Sequence, residues 1–125
     1  MKRVQIQHEY LFRASPMILY KFFTTPSCLV RWFCDEVDIQ DDIFTFVWEG
    51  AEEVAELIDD IEEERLKFEW EEGDDDEFFE ITFERSQLTG ETILQIIEFC
   101  DEDEVDDQGI LWDSLIKILR QETGG

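Results

Sequence analysis

The sequence predicts an α+β fold in which a curved antiparallel sheet of about seven strands wraps around one long C-terminal helix. Residues 105–122 form the only long helical pattern, because Leu111, Trp112 and Leu115 belong to an apolar set that recurs at three- and four-residue spacing. Nearly all of residues 34–101 instead alternates in twos, as strands with one buried face do. The connections there are too short for crossover helices, so neighbouring strands are expected to run antiparallel.

The first part of the chain predicts a strand followed by two short helices. Residues 2–13 alternate, and His8 and Tyr10 fall on the apolar face of that strand. Ser15-Pro16 predicts a helix start, because serine caps free N–H groups and proline suits the first helical position. A later Thr-Pro pair repeats this pattern, so a second short helix is expected over 27–33.

Six more strands are expected, at 36–40, 43–50, 51–62, 65–72, 77–85 and 91–100, with acidic residues and glycines in the turns. The segment 51–62 also fits a helix by its spacing. We interpret it as a strand, because a helix there would interrupt strands that are clearly paired. The residues expected to point inward are Phe44, Phe46, Trp48, Leu66, Phe68, Trp70, Phe79, Ile81, Phe83, Ile93, Ile97 and Phe99.

Composition limits the classes of function. The 125 residues suit one domain spanning the chain, and 34 acidic against 10 basic residues give a net charge of -24. Such an excess opposes unaided binding to nucleic acid or to an anionic membrane, since both would add like charge. The acidity is explained either by solubility or salt adaptation, or by a basic partner.

Cysteines and the N-terminal segment indicate the compartment. Cys28, Cys34 and Cys100 are odd in number and have no CxxC spacing, so neither a disulfide framework nor a zinc site is expected. No signal-peptide pattern and no stretch of membrane-spanning length is visible. These observations predict a soluble, cytoplasmic protein.

The order of these elements, with particular residues, resembles the START-like (helix-grip, SRPBCC) superfamily, in the branch similar to activators of the ninety-kilodalton heat-shock ATPase. The resemblance covers the whole chain. It depends on Ser15-Pro16, Thr24-Thr25-Pro26, Leu29, Trp32, Phe46, Trp48, Gly50, Arg65, Phe68, Trp70, residues 92–97, Trp112, Leu115 and Leu119. The resemblance implies an apolar cavity between sheet and long helix, used across the superfamily for lipids, sterols, polyketides or hormones and occasionally for catalysis.

If that cavity is open, its candidate lining combines two polar groups of the first strand with aromatic and aliphatic side chains. The candidates are His8, Tyr10, Phe46, Trp48, Phe68, Trp70, Phe83, Trp112 and Leu115. A filled interior is the equal alternative, because so many large rings occupy much of a small domain. His8, the only histidine, can likewise be a core residue bonded to a carbonyl or to Tyr10.

No catalytic or metal-binding set is expected. The acidic run 101–107 superficially resembles a calcium loop, but Val105 holds its fifth position and Asp106 the sixth, where the loop needs an oxygen ligand and a glycine. No nucleophile–histidine pair or phosphate-binding glycine loop is visible, and no cofactor is expected.

Three hypotheses therefore remain. The first is non-enzymatic binding of a small hydrophobic ligand between the sheet and the C-terminal helix. The second is a co-chaperone-like interaction protein whose acidic surface docks a basic partner. The third, a cyclase-like or hydrolytic enzyme, has the least support in the sequence.

Overall fold

The computed structural model describes residues 2–125 and has the expected α+β architecture. The seven strands are β1 (Arg3–Phe12), β2 (Glu36–Gln40), β3 (Ile43–Trp48), β4 (Ala51–Ile61), β5 (Arg65–Trp70), β6 (Phe79–Arg85) and β7 (Thr92–Asp101). The helices are α1 (Pro16–Thr24), α2 (Pro26–Leu29) and α3 (Val105–Thr123), the last preceded by a 3-10 turn at Glu102–Glu104. The segment 51–62, which also fitted a helix, is almost entirely strand.

All seven strands form one antiparallel sheet in the order β1-β7-β6-β5-β4-β3-β2. From β2 to β7 each strand therefore pairs with the next, whereas β1 pairs with β7. The β3–β4 hairpin turns at Glu49 and Gly50, whose φ angles of 50° and 83° are both positive. Two positive φ angles are typical of the tight turn that matches the twist of paired strands.

The helix α3 packs against β1 and β7 on the inner face of the sheet, which carries the buried side chains. Its inward side carries Trp112, Ile116 and Leu119, and the last two are fully buried. The helices α1 and α2 close one end of the core with Leu19 and Leu29. The Ser15 hydroxyl accepts the Ile18 N–H at 3.3 Å, so the predicted cap at the start of α1 is confirmed.

The inward face predicted for β7 is wrong. Leu94 and Ile96 face the core, whereas the predicted Ile93, Ile97 and Phe99 lie half-buried on the outer face. This strand has apolar residues on both faces, so alternation alone does not determine which face is buried. Tertiary contacts determine it. The Thr92 hydroxyl donates to the Ala14 carbonyl at 2.6 Å on the inner face, and Phe99 packs against Phe78 on the outer one, with ring centroids 5.2 Å apart.

Two further observations concern the whole described chain. The cysteines Cys28, Cys34 and Cys100 are all free, as expected from their number and spacing. Within residues 2–125, the longest helix is too polar to be a candidate for crossing a membrane, and the other helices are too short.

Candidate functional site

An open cleft of about 350 Å³ separates the N-terminal half of α3 from the inner face of the sheet. Its lining is mainly apolar and consists of Phe33, Trp48, Trp70, Phe79, Leu111, Trp112 and Leu115, with the polar residues Glu53, Glu98 and Gln108. The deeper core beside it is packed, with Ile116 and Leu119 fully buried. The interior is therefore filled along most of α3 and open at one end.

The aromatic lining follows from the antiparallel strand order. Trp48 and Trp70 are the last residues of β3 and β5, and Phe79 is the first residue of β6. Because neighbouring strands run in opposite directions, these three positions meet at the same edge of the sheet. Phe33, which follows α2, joins them through its carbonyl oxygen, which accepts the Trp48 indole N–H at 2.6 Å. Strand ends thus bring rings that are distant in sequence into one wall.

The polar side of the cleft is centred on Glu98 of β7, a carboxylate on the core face of the sheet. One carboxylate oxygen lies 2.7 Å from His8 Nε2, and the other accepts the Gln108 side-chain amide at 3.0 Å. The side chains of His8 and Glu98 are only 10% and 11% exposed. Burial of a carboxylate is tolerated here because both of its oxygens have hydrogen-bond partners.

The structure places four of the nine candidate cavity residues in the cleft lining, namely Trp48, Trp70, Trp112 and Leu115. Phe46, Phe68 and Phe83 are instead buried in the packed core. His8 contacts Glu98 behind the lining, with its ring centroid 6.0 Å from that of Trp112. The partner of His8 is thus neither a carbonyl nor Tyr10.

Tyr10 fastens β1 to α3 outside the cleft lining. Its hydroxyl donates to the Asp113 carboxylate at 2.9 Å. Burial and this acceptor raise the pKa of Tyr10 above the usual tyrosine range. Tyr20 of α1 is held similarly, because its hydroxyl donates to Asp60 at 2.6 Å and the same causes raise its pKa. Both phenols therefore act as neutral donors that join separate elements.

The acidic run that begins at the last residue of β7 brings carboxylate oxygens of Asp101, Asp103 and Glu104 within 4.8 Å of one another. Arg3 already donates to Asp101 at 3.1 Å and to Glu77 at 2.7 Å. The hydrogen bond from Arg3 lowers the pKa of Glu77. These contacts give Asp101 and Glu77 a structural role, because they join β1 to β7 and to the segment before β6.

Sequence reasoning missed Glu53, Glu98 and Gln108, the polar residues of the cleft. Glu98 left one signal, because it is the single charge on the face of β7 that also carries Leu94 and Ile96. A charge on a buried face indicates a polar partner in the folded protein. Gln108 and Glu53 left no comparable signal, since each lies among many other polar residues.

Comparison with known proteins agrees with this geometry. A family model described as a START-like superfamily domain matches residues 1–125. The solution NMR structure of protein BfR322 from Bacteroides fragilis is 36% identical, with a TM-score of 0.69, over 98% of this chain and 92% of that chain. A search of curated proteins gives no match.

Two more distant structures show the same fold. The Aha1 dimer from Colwellia psychrerythraea is 15% identical, with a TM-score of 0.81, over 96% of both chains. Protein MLL2253 from Mesorhizobium loti is 16% identical, with a TM-score of 0.77, over 94% of this chain and 95% of that chain. The family model, the sheet order and the long terminal helix agree, and the chain belongs to the START-like superfamily.

Proposed function

We propose that this protein binds a small hydrophobic ligand in the cleft between the sheet and α3. The observation that carries the proposal is the cleft itself, a space of about 350 Å³ with a mainly aromatic lining and three polar groups. Ligand pockets typically measure roughly 300–1,000 Å³ and combine an apolar lining with a few polar groups. Ligand binding in such a cleft is typical of the fold.

The size of the cleft limits the ligand. It lies near the lower end of the usual pocket range, and Phe12, Ile116 and Leu119 fill the interior beyond it. The ligand is therefore a compact molecule of one or two rings, with no long chain extending into the core.

A filling variant tests this proposal. Leu115→Trp adds an indole to the cleft lining, whereas Ile118→Trp adds the same group at a half-exposed position one turn further along α3, outside the lining. Uptake of apolar fluorescent probes, together with native mass spectrometry of purified protein, should show binding that Leu115→Trp reduces and Ile118→Trp preserves. A wild-type protein that takes up no hydrophobic probe would refute the proposal.

The acidic surface favours a second candidate function, the docking of a basic protein partner. A depression of about 370 Å³ on the outer face of the sheet is lined largely by carboxylates, among them Glu56, Glu69, Glu71, Asp74 and Asp75. Long-range attraction from such a surface steers basic partners and is screened by salt. Capture of a basic partner should therefore weaken steeply with ionic strength, and salt-insensitive capture would count against this function.

A further inference from the structure

We infer that the ligand selected by the cleft is a small hydrophobic cation, such as an aromatic amine or a quaternary ammonium compound. This inference depends on the proposed ligand-binding function and specifies its chemical class. Three features of the cleft support it: the arrangement of its rings, the identity of its charged groups and the field around its entrance.

The rings of the cleft form one contiguous aromatic cluster along its wall. The cluster consists of Phe33, Trp48, Trp70, Phe79 and Trp112, with successive centroid distances of 5.3, 6.5, 6.1, 5.8 and 6.2 Å, and Phe33 also stacks on Phe79 at 6.4 Å. Aromatic faces carry negative electrostatic potential, and tryptophan attracts cations most strongly. Three of the five rings are tryptophans, so the lining is suited to a cation with an apolar body.

The charged groups of the cleft are both carboxylates. Glu53 and Glu98 belong to its lining, and no lysine or arginine does. Glu53 forms no salt bridge within residues 2–125. Glu98 is held in place by His8 and Gln108, and a carboxylate has acceptor capacity beyond two hydrogen bonds. Both residues can therefore face a positively charged ligand.

The surroundings of the cleft extend this negative potential to the solvent. Glu53 also borders a surface depression lined by Glu52, Glu71 and Glu72. Together with a net charge of -24, this field raises the local concentration of cations and lowers that of anions. A fatty acid or another carboxylate ligand would bring its charge toward two carboxylates, so the observations disfavour that class.

A matched pair of probes tests the inference. The para-hydroxyphenyl-trimethylammonium ion and para-tert-butylphenol have the same shape and differ at one atom, a charged nitrogen in place of carbon. Each is titrated into the full chain below neutral pH and followed by NMR of the tryptophan indole N–H signals. The indole signals of Trp48, Trp70 and Trp112 should shift more than that of Trp32, which lies outside the lining and donates its N–H to the Phe22 carbonyl. The cation should bind at least about tenfold more tightly.

Charge-neutralising variants test which groups cause that preference. Glu53 is exposed, and Glu53→Gln removes one negative charge from the cleft. Glu56→Gln is the control, because it removes one negative charge from the outer face of the same strand. Glu53→Gln should weaken binding of the cation by about 3–10-fold with little change for the phenol, and Glu56→Gln should have a smaller effect.

The outcomes separate the inference from the proposed function. If the wild-type protein binds the cation more tightly than the phenol, and this difference in affinity is smaller in Glu53→Gln, the inference and the proposed function are both supported. Equal binding of the two probes, or tighter binding of the phenol, overturns the inference and leaves the proposed function standing. Binding of neither probe, nor of any other apolar compound, overturns both.

Discussion

The pair formed by His8 and Glu98 should be strongly coupled in the stability of the fold. Replacing only His8, by Phe, leaves the carboxylate of Glu98 on the core face with Gln108 as its remaining partner. Replacing only Glu98, by Leu, leaves a ring nitrogen of His8 without its acceptor. Replacing both residues gives two apolar side chains beside Trp112, with no polar atom of the pair left behind.

The magnitude follows from the burial of the pair. Leaving a buried polar group without its hydrogen-bond partner costs roughly 1–3 kcal/mol, and more for a charged group. Here each side chain is about a tenth exposed and Gln108 remains as a partner of Glu98, so His8→Phe should lower the free energy of unfolding by about 2–3 kcal/mol. Glu98→Leu should cost about 1–2 kcal/mol, the penalty of a buried unsatisfied polar group. The double variant should lower the free energy of unfolding by about 1 kcal/mol or less, which gives a coupling energy of at least about 2 kcal/mol.

Urea unfolding followed by tryptophan fluorescence measures these differences at one fixed pH. The control is the exposed pair of Glu9 and Gln95 on the outer face of the same two strands, whose side chains lie 2.9 Å apart. Its coupling should stay below about 0.5 kcal/mol. If the losses in His8→Phe and Glu98→Leu simply add in the double variant, the argument that the carboxylate is tolerated because it is paired is wrong.

Three further predictions use other parts of the structure. Gly109→Ala should raise the free energy of unfolding in urea by about 0.5–1 kcal/mol, because open space surrounds that point of α3, whereas Gly50→Ala, at φ +83°, should lower it. A destabilised Gly109→Ala protein together with a stabilised Gly50→Ala protein would contradict this. Burial and the neighbouring Asp35 raise the pKa of Cys34 to about 11, so at neutral pH a disulfide reagent should react with the half-buried Cys28 at least about tenfold faster, and equal rates would refute this. Both tyrosines have raised pKa values, so ultraviolet titration of the folded protein should show them still protonated near pH ~10, and half-ionisation at that pH would contradict this. Because the folded state retains these protons, the free energy of unfolding should fall as the pH rises toward the folded pKa.

Much of the fold was predictable because each element has its own period. The apolar spacing at three and four residues predicts α3, and alternation predicts the strands apart from the ambiguous segment 51–62. There, local propensity favours a helix, but pairing with both neighbours determines the strand. The order of β2 to β7 follows from their short connections, since a meander is the arrangement that such connections allow, whereas the pairing of β1 with β7 does not follow from them.

Alternation could not predict the inward face of β7. Ile93, Ile97 and Phe99 offer as much apolar surface as Leu94 and Ile96, so the sequence favours neither face. The buried hydroxyl of Thr92 and the partners of Glu98 determine the orientation, and both are tertiary contacts. A polar residue such as Glu98 therefore indicates which face of a strand is buried only when its hydrogen-bond partner is known.

The candidate site was predictable in its type of side chain rather than in its location. Trp48, Trp70 and Trp112 were expected to face inward, and the structure brings all three to one end of α3. Which inward rings fill the core and which border an open space depends on the path of the helix across the sheet. That path separates the buried Phe68 from the cleft residue Trp70, although both share one face of β5.

The pairing of β1 with β7 has a consequence for how the protein folds. Arg3 and Asp101 form a hydrogen bond across 98 positions of sequence, while every other strand pair joins near neighbours. Loops of that length close slowly, because their entropy must be lost before the contact is gained. On the ribosome, β2 to β6 can associate as they emerge, but β1 must wait for nearly the whole chain. Closure of the sheet by its first strand is therefore expected to be a late step of folding.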